Sequence, residues 1–277
     1  MKLFQTDYGV VAERDGAFRR FPANVSFDSL FAAPDPRALA AASFAAGQAC
    51  EAPATAQAPI GGQEVWAAGV TYLRSRVARA SESEQSGGAV FYDRVYEAER
   101  PEIFFKATPH RVAGSGEAVW IRADSKWNVP EPELTLAFSA VGKLFGYTIG
   151  NDMSSRDIEG ENPLYLPQAK LYHRSAALGP CLWIPETPIA KDTLIEISIV
   201  RGGAVAFSGS TAIDRIKRSF DELGSYLFRA NRFPVGCFLM TGTGVVPPDS
   251  FTLQAGDRIE VRIAPIGLLV NTVEVSS

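Results

Sequence analysis

Cysteine is scarce and scattered. Cys50, Cys181 and Cys237 are the three in the chain; they are odd in number and too far apart for a disulfide framework or a cysteine metal site. They read as buried free thiols, which suit a reducing cytoplasm. No run approaches the roughly 20 apolar residues of a membrane span. The start, Met1-Lys2-Leu3-Phe4-Gln5-Thr6-Asp7, is broken by polar residues at once, so the apolar centre of a signal peptide is missing. Charge of one sign is also lacking. A net charge of -4 over 277 residues leaves no basic excess of the kind that nucleic-acid and membrane-surface proteins carry. Histidine occurs twice, as His110 and His173; the first follows Pro109 and reads as a loop residue, and both read as structural.

What is present is an ordinary globular composition, 46% hydrophobic and 21% charged, long enough for one large domain with a small appendage. Lys2–Thr6 and Val10–Glu13 read as strands around a turn, with Arg14-Asp15-Gly16 as a second turn. Arg37–Gly47 is alanine-rich and predicts a helix. Ala52–Pro59 reads as a linker, which places a boundary near residue 60: a small N-terminal domain over 1–60 and a larger one over 61–277.

The larger part is mostly strand-like, over Glu117–Ile121, Leu134–Phe138, Leu144–Ile149, Leu182–Ile184, Leu194–Val200, Ala204–Ser208, Phe251–Leu253, Arg258–Ile263 and Leu268–Val275. One clear helix starts at Ser219, where Ser219 and Glu222 have capping-box spacing, and is expected to reach about Ala230. Ser81–Gly88 reads as a surface loop or a mobile lid.

Three acids stand out. Glu131 and Glu133 flank Pro132 in an extended segment, and residues two apart in a strand face one side. Pro130 and Pro132 suggest an edge strand. If Gly142-Lys143 is a two-residue turn, Asp152 falls opposite Glu133 on the same face. Three converging carboxylates repel unless a cation lies between them or some are protonated. All-oxygen ligands select a hard ion: Mg²⁺ first, with Mn²⁺ or Ca²⁺ as alternatives.

At these residues the chain resembles the fumarylacetoacetate hydrolase superfamily. That family carries Glu-x-Glu on a strand, then Gly-Tyr-x-x-x-x-Asp-(Met/Val)-(Ser/Thr)-x-Arg-Asp, then a lysine before Gly-Pro. Here the pattern reads Glu131-Pro132-Glu133, then GYTIGNDMSSRD from Gly146 to Asp157, then Lys170 before Gly179-Pro180, with Thr241-Gly242-Thr243-Gly244 further on. The resemblance covers about residues 64 to 277. It implies an α+β, mostly β fold: a mixed β-sandwich roll behind a small N-terminal domain, usually as a homodimer. It also implies Glu131, Glu133 and Asp152 as metal ligands and Lys170 as a site residue.

A closer likeness is to the branch of that superfamily that dehydrates 2-keto-3-deoxy sugar acids. It rests on Val95–Glu97, Arg100–Pro109, Pro130–Leu134 and Glu161–Gln168. It implies a 2-keto-3-deoxy pentonate as substrate and 2,5-dioxopentanoate as product. It also brings Glu102 and Lys106 into the pocket. A 2-keto acid chelates a metal through its carboxylate and keto oxygens, which makes a C3 proton removable; a C4 hydroxyl then leaves if protonated. Glu102 and Lys170 are the candidates for proton transfer, with Lys106, Thr243 and Arg76 for holding the substrate. Which of Glu102 and Lys170 is acid and which is base stays open.

Two rivals remain. A C–C hydrolase of acylpyruvates would carry a His and a Glu on a lid, whereas Gly69–Arg76 contains no histidine. A non-catalytic sugar-acid binder would not need a proton-transfer pair. Thr241–Gly244 is a poor nucleotide-binding loop, because no Gly-Lys-Ser/Thr follows.

Overall fold

Alternation along the strand Cys237–Met240 shows how the core is built: Cys237 and Leu239 enter one cluster of buried side chains, Phe238 and Met240 the other. A strand that is apolar at every position is covered on both faces. The structure is a computed structural model and describes residues 1–73 and 94–276. Arg76 and Ser81–Gly88 lie outside those residues.

The strand Cys237–Met240 belongs to an 11-stranded sheet. Its centre runs, in spatial order, Lys2–Thr6, Ala176–Trp183, Leu144–Asp152, Pro132–Phe138, Cys237–Met240, Glu64–Gly69 and Glu102–Ala107. Two helices, Phe27–Ala32 and Pro36–Ala46, cover one face. The first is opened by a Ser26–Ser29 capping box, the second by the Asp35 carboxylate. Phe31 packs there on Phe145 and Phe238, with ring centroids 4.8 and 5.0 Å away. A 5-stranded sheet covers the other face. It brings Ile195, Ile197 and Ile199 of Leu194–Arg201, and Ile259, Val261 and Ile263 of Arg258–Ile263, into the second cluster.

Both sheets are mixed, since Cys237–Met240 pairs parallel with Glu64–Gly69 and Gly267–Val275 with Ala118–Ile121. This is the mostly β sandwich expected. Lys2–Thr6 pairs with Ala176–Trp183, so the first sixty residues continue the large sheet. No helix among the described residues is long and apolar enough to cross a membrane.

Several local expectations need correction. Pro132–Phe138 is an interior strand, hydrogen-bonded on both sides. The prolines are tolerated because Pro132 is its first residue and Pro130 precedes it. The hairpin loop spans Ser139–Lys143, and a bulge follows Ala137, so Asp152 pairs two residues away from the expected partner. Phe251–Leu253 is irregular, held by Leu253 N–H donating to Asn128 O at 2.9 Å. The helix after Ser219 stops at Leu227. Ser219 caps it by accepting from Glu222 N–H, while the Glu222 carboxylate accepts from Arg218.

Candidate metal centre and active site

The pair Leu134 and Ile149, and the pair Leu136 and Tyr147, enter the same core cluster across the hairpin. The intervening parity therefore points to the opposite face. Glu133 pairs with Gly150 on that face, and Asp152, two residues further, stands across from Glu131. The register differs from the expected one by two, an even number, so the face is unchanged. Glu131, Glu133 and Asp152 each offer a carboxylate oxygen within 4.8 Å of the others. All three are buried, at 5, 2 and 2% exposure.

The hydrogen-bonding partners fix each acid differently. Glu133 accepts from Gly242 N–H at 2.5 Å. Burial pushes its carboxyl well above the usual range, and the charges of Asp152 and Glu131 add to the effect. Glu131 accepts from Arg156 Nη2 at 3.0 Å and from Lys170 Nζ at 2.6 Å. Asp152 lies between two ammonium groups, with Lys106 Nζ 2.5 Å from Oδ1 and Lys170 Nζ 3.0 Å from Oδ2. Burial works to raise its pKa, but the two lysines outweigh it and hold the carboxyl below its ordinary value.

Lys170 ends the short helix Leu166–Lys170, which follows directly on Pro163–Tyr165 and returns the chain to the carboxylates. It is fully buried, also donates to Ser154 Oγ at 2.5 Å, and lies 3.5 Å from Glu159 Oε1. Lys106 is fully buried too, and its ammonium is directed at Asp152, Met153 O and Lys170 O. Burial lowers its pKa, against the pull of Asp152. Gly69, Val70, Lys170, Gly242 and Thr243 join the three acids around a cavity of about 20 Å³, room for one body the size of a water or an ion. Glu102 starts the strand beside it, paired with Gly69.

Sequence reasoning passed over Arg156 and Glu159, buried at 3 and 1% on the helix Arg156–Glu161. Both were within reach, since Arg156 is the arginine of the quoted GYTIGNDMSSRD run and Glu159 follows it by three, on the same helix face. Neither histidine lines the cavity. His110 is exposed beside Thr108, and His173 is exposed with its ring 4.8 Å from Trp120.

Three buried carboxylates closing on a space of ionic size fit a divalent cation, which would remove their mutual repulsion. The family profile of the fumarylacetoacetate (FAA) hydrolase C-terminal domain matches residues 65–274. The chain belongs to the fumarylacetoacetate hydrolase family. Among family members it is 48% identical over 219 residues to a probable 2-keto-3-deoxyxylonate dehydratase of Haloferax volcanii, covering 79% of this chain and 74% of that protein. It is 44% identical over 220 residues to the 2-dehydro-3-deoxy-D-arabinonate dehydratase of Saccharolobus solfataricus, covering 78 and 73%. A solved 2-keto-3-deoxy-D-arabinonate dehydratase, complexed with magnesium and 2,5-dioxopentanoate, superposes with a TM-score of 0.85 at 34% identity, over 100% of this chain and 99% of that one.

Proposed function

We propose that the protein is a Mg²⁺-dependent dehydratase that converts a 2-keto-3-deoxy pentonate, such as 2-keto-3-deoxy-D-arabinonate, to 2,5-dioxopentanoate. The observation that carries it is the buried cluster of Glu131, Glu133 and Asp152, with Lys170 among its carboxylates, in a chain 44–48% identical to two proteins named as dehydratases of such acids. The three carboxylates would hold the cation, with Mn²⁺ or Ca²⁺ as alternatives. Bound there, a divalent ion supplies polarisation of the substrate's keto group.

The chain's own groups do the rest. Lys170 and Glu102 are the two proton-transfer groups in this reading: one takes the C3 proton and the other protonates the departing C4 hydroxyl, which gives the 3-enoate; return of a proton to C3 with loss of one from C5, and ketonisation of the C5 enol at C4, then complete 2,5-dioxopentanoate. Thr243, at the cavity wall, and Arg76 hold the substrate's polar groups. Lys106 contributes its charge from behind Asp152, since its ammonium is already engaged by Asp152, Met153 O and Lys170 O. Around the cavity the buried acids Glu131, Glu133, Asp152 and Glu159 meet the buried cations Lys106, Lys170 and Arg156.

A water-activating histidine, which the acylpyruvate hydrolase reading needs, has no candidate at the cavity, and the chain's two histidines lie elsewhere. A cytoplasmic location and a homodimer complete the proposal. Cys181 and Cys237 are buried free thiols, while Cys50, expected to be buried, is exposed just after the edge strand Gln48–Ala49; free thiols suit a reducing compartment, and sedimentation velocity tests the assembly. The deciding experiment incubates the protein and Mg²⁺ with 2-keto-3-deoxy sugar acids and acylpyruvates, and identifies products by mass. Formation of 2,5-dioxopentanoate supports the proposal. Release of pyruvate from acylpyruvates without dehydration gives the site to a hydrolase, and tight binding of the sugar acids without turnover gives it to a binding protein.

A further inference from the structure

Residues 69–72 and 95–102 meet at the Gly69–Glu102 pair beside the carboxylate cavity, and one short run of chain holds both. Gly69 and Val70 line the cavity. Val70 adopts φ 53°, in the left-handed region that a β-branched residue enters only when its surroundings impose it. Those surroundings are specific. Thr71 donates its hydroxyl to Thr241 O at 2.6 Å, and Thr71 O accepts from Lys217 N–H at 2.9 Å. Tyr72 makes a β-bridge with Ile216.

The next residue after Lys217 grips the other approach. Arg218 is 8% exposed. Its Nη2 donates to Val95 O at 3.1 Å and Ala98 O at 2.5 Å, and its Nη1 to Glu99 O at 3.0 Å and Glu222 Oε1 at 2.6 Å. A guanidinium holds its donors in a rigid planar fork, so bonds to three carbonyls of one stretch fix that stretch's backbone. Lys217 adds a bond from Nζ to Tyr96 O at 2.5 Å. From Glu99 the chain passes only Arg100 and Pro101 before Glu102, whose carboxylate lies against Gly69.

We propose that Arg218 is a positioning residue: by holding the carbonyls of Val95, Ala98 and Glu99 it fixes Glu102 against Gly69 at the edge of the carboxylate cavity. The inference rests on Glu102 transferring a proton in the reaction proposed above.

The test compares Arg218→Met and Arg218→Lys, each alone and combined with Glu102→Gln. Turnover of a 2-keto-3-deoxy pentonate with Mg²⁺ is measured beside Mg²⁺ affinity and backbone amide exchange over residues 95–103. Arg218→Met is expected to lower kcat by roughly ten- to a hundredfold, the scale of a displaced catalytic group, with KM and Mg²⁺ affinity unchanged. In the Glu102→Gln background it should add no further loss, because the two act through one group. Arg218→Lys should fall between, and exchange over 95–103 should speed up. Equal losses in both backgrounds would mark a general effect on the fold and overturn the proposal, as would unchanged exchange or unchanged kcat. If the unaltered protein dehydrates none of the acids, the dehydratase reading fails by itself. The exchange measurement then decides alone whether Arg218 fixes the approach to Glu102.

Discussion

Asp152 stands directly across the hairpin from Glu131, its backbone N–H donating to the Glu131 carbonyl at 2.9 Å. The backbone therefore sets the spacing of two carboxylates before any ion arrives, and Gly242 N–H sets the third by holding Glu133. Asp152→Asn keeps the pairing and removes one ligand charge. Mg²⁺ affinity, measured by titration calorimetry, should fall by more than the roughly 10–100-fold lost when a ligand's neighbour is changed. Chelation should abolish turnover, and Mg²⁺ or Mn²⁺ should restore it. Full activity in a rigorously metal-free preparation would remove the ion from the mechanism.

Protons should leave as the ion enters. Without a cation, burial and the neighbouring acids raise the Glu133 carboxyl well above its usual value. A protonated carboxyl is a poor ligand, so binding must displace that proton. Affinity should weaken as pH falls through the raised Glu133 pKa. The stability sign follows from the same shift. A folded-state pKa raised above the unfolded one favours the protonated folded protein, so this contribution is present at low pH and lost as pH rises through the folded value. Metal-free protein should thus lose stability on that rise, and Mg²⁺ should restore it. Calorimetry in buffers of different ionisation enthalpy reads the proton count; identical binding enthalpies in all of them would contradict release.

Lys170→Met separates proton transfer from metal binding. Lys170 Nζ contacts Glu131 and Asp152 at 2.6 and 3.0 Å and is fully buried. Its loss should lower kcat by roughly 10²-fold or more, the usual scale for a proton-transfer group. Removing an ammonium from between two ligands also leaves them more negative, so Mg²⁺ affinity should hold or tighten. Near-normal kcat with normal metal binding would take Lys170 out of the chemistry.

The site was legible in the sequence to the extent that it depends on parity. Glu131 and Glu133 share a face through their spacing alone, and Asp152 joined them although the assumed turn was wrong, because the true register differs by two residues. Lys170 could be reached only through the family pattern: a short helix and the turn before it bring it back to the cluster, and no periodicity encodes that. The edge-strand expectation failed because the prolines fall at and before the strand's first residue, where no ladder bond is lost. Leu253 misled as a strand residue since its burial comes from packing in an irregular segment. Of the central strands, the hairpin of Leu134–Phe138 and Leu144–Ile149 was readable, whereas Cys237–Met240, Glu64–Gly69 and Glu102–Ala107 were not, because a short, mostly apolar run carries no strand period.

Gly69→Ala tests Glu102 without touching its carboxyl. Gly69 lines the cavity and pairs with Glu102 across the two strands. A methyl group at Gly69 would lie 2.0 Å from Glu102 Oε2 and 2.5 Å from its carboxyl carbon, far inside contact distance. The obstructed atoms are the end of a flexible side chain, so the carboxylate should swing away while the strands stay paired. The melting temperature should move little, and Mg²⁺ affinity should stay the same, because Glu131, Glu133 and Asp152 are not displaced. Turnover should fall by roughly ten- to a hundredfold, since a catalytic group misplaced by about an ångström loses that much. Glu102→Gln should fall at least as far, and adding Gly69→Ala to it should cost little more. A Gly69→Ala protein with full activity would mean that the carboxylate's place against Gly69 has no part in the reaction.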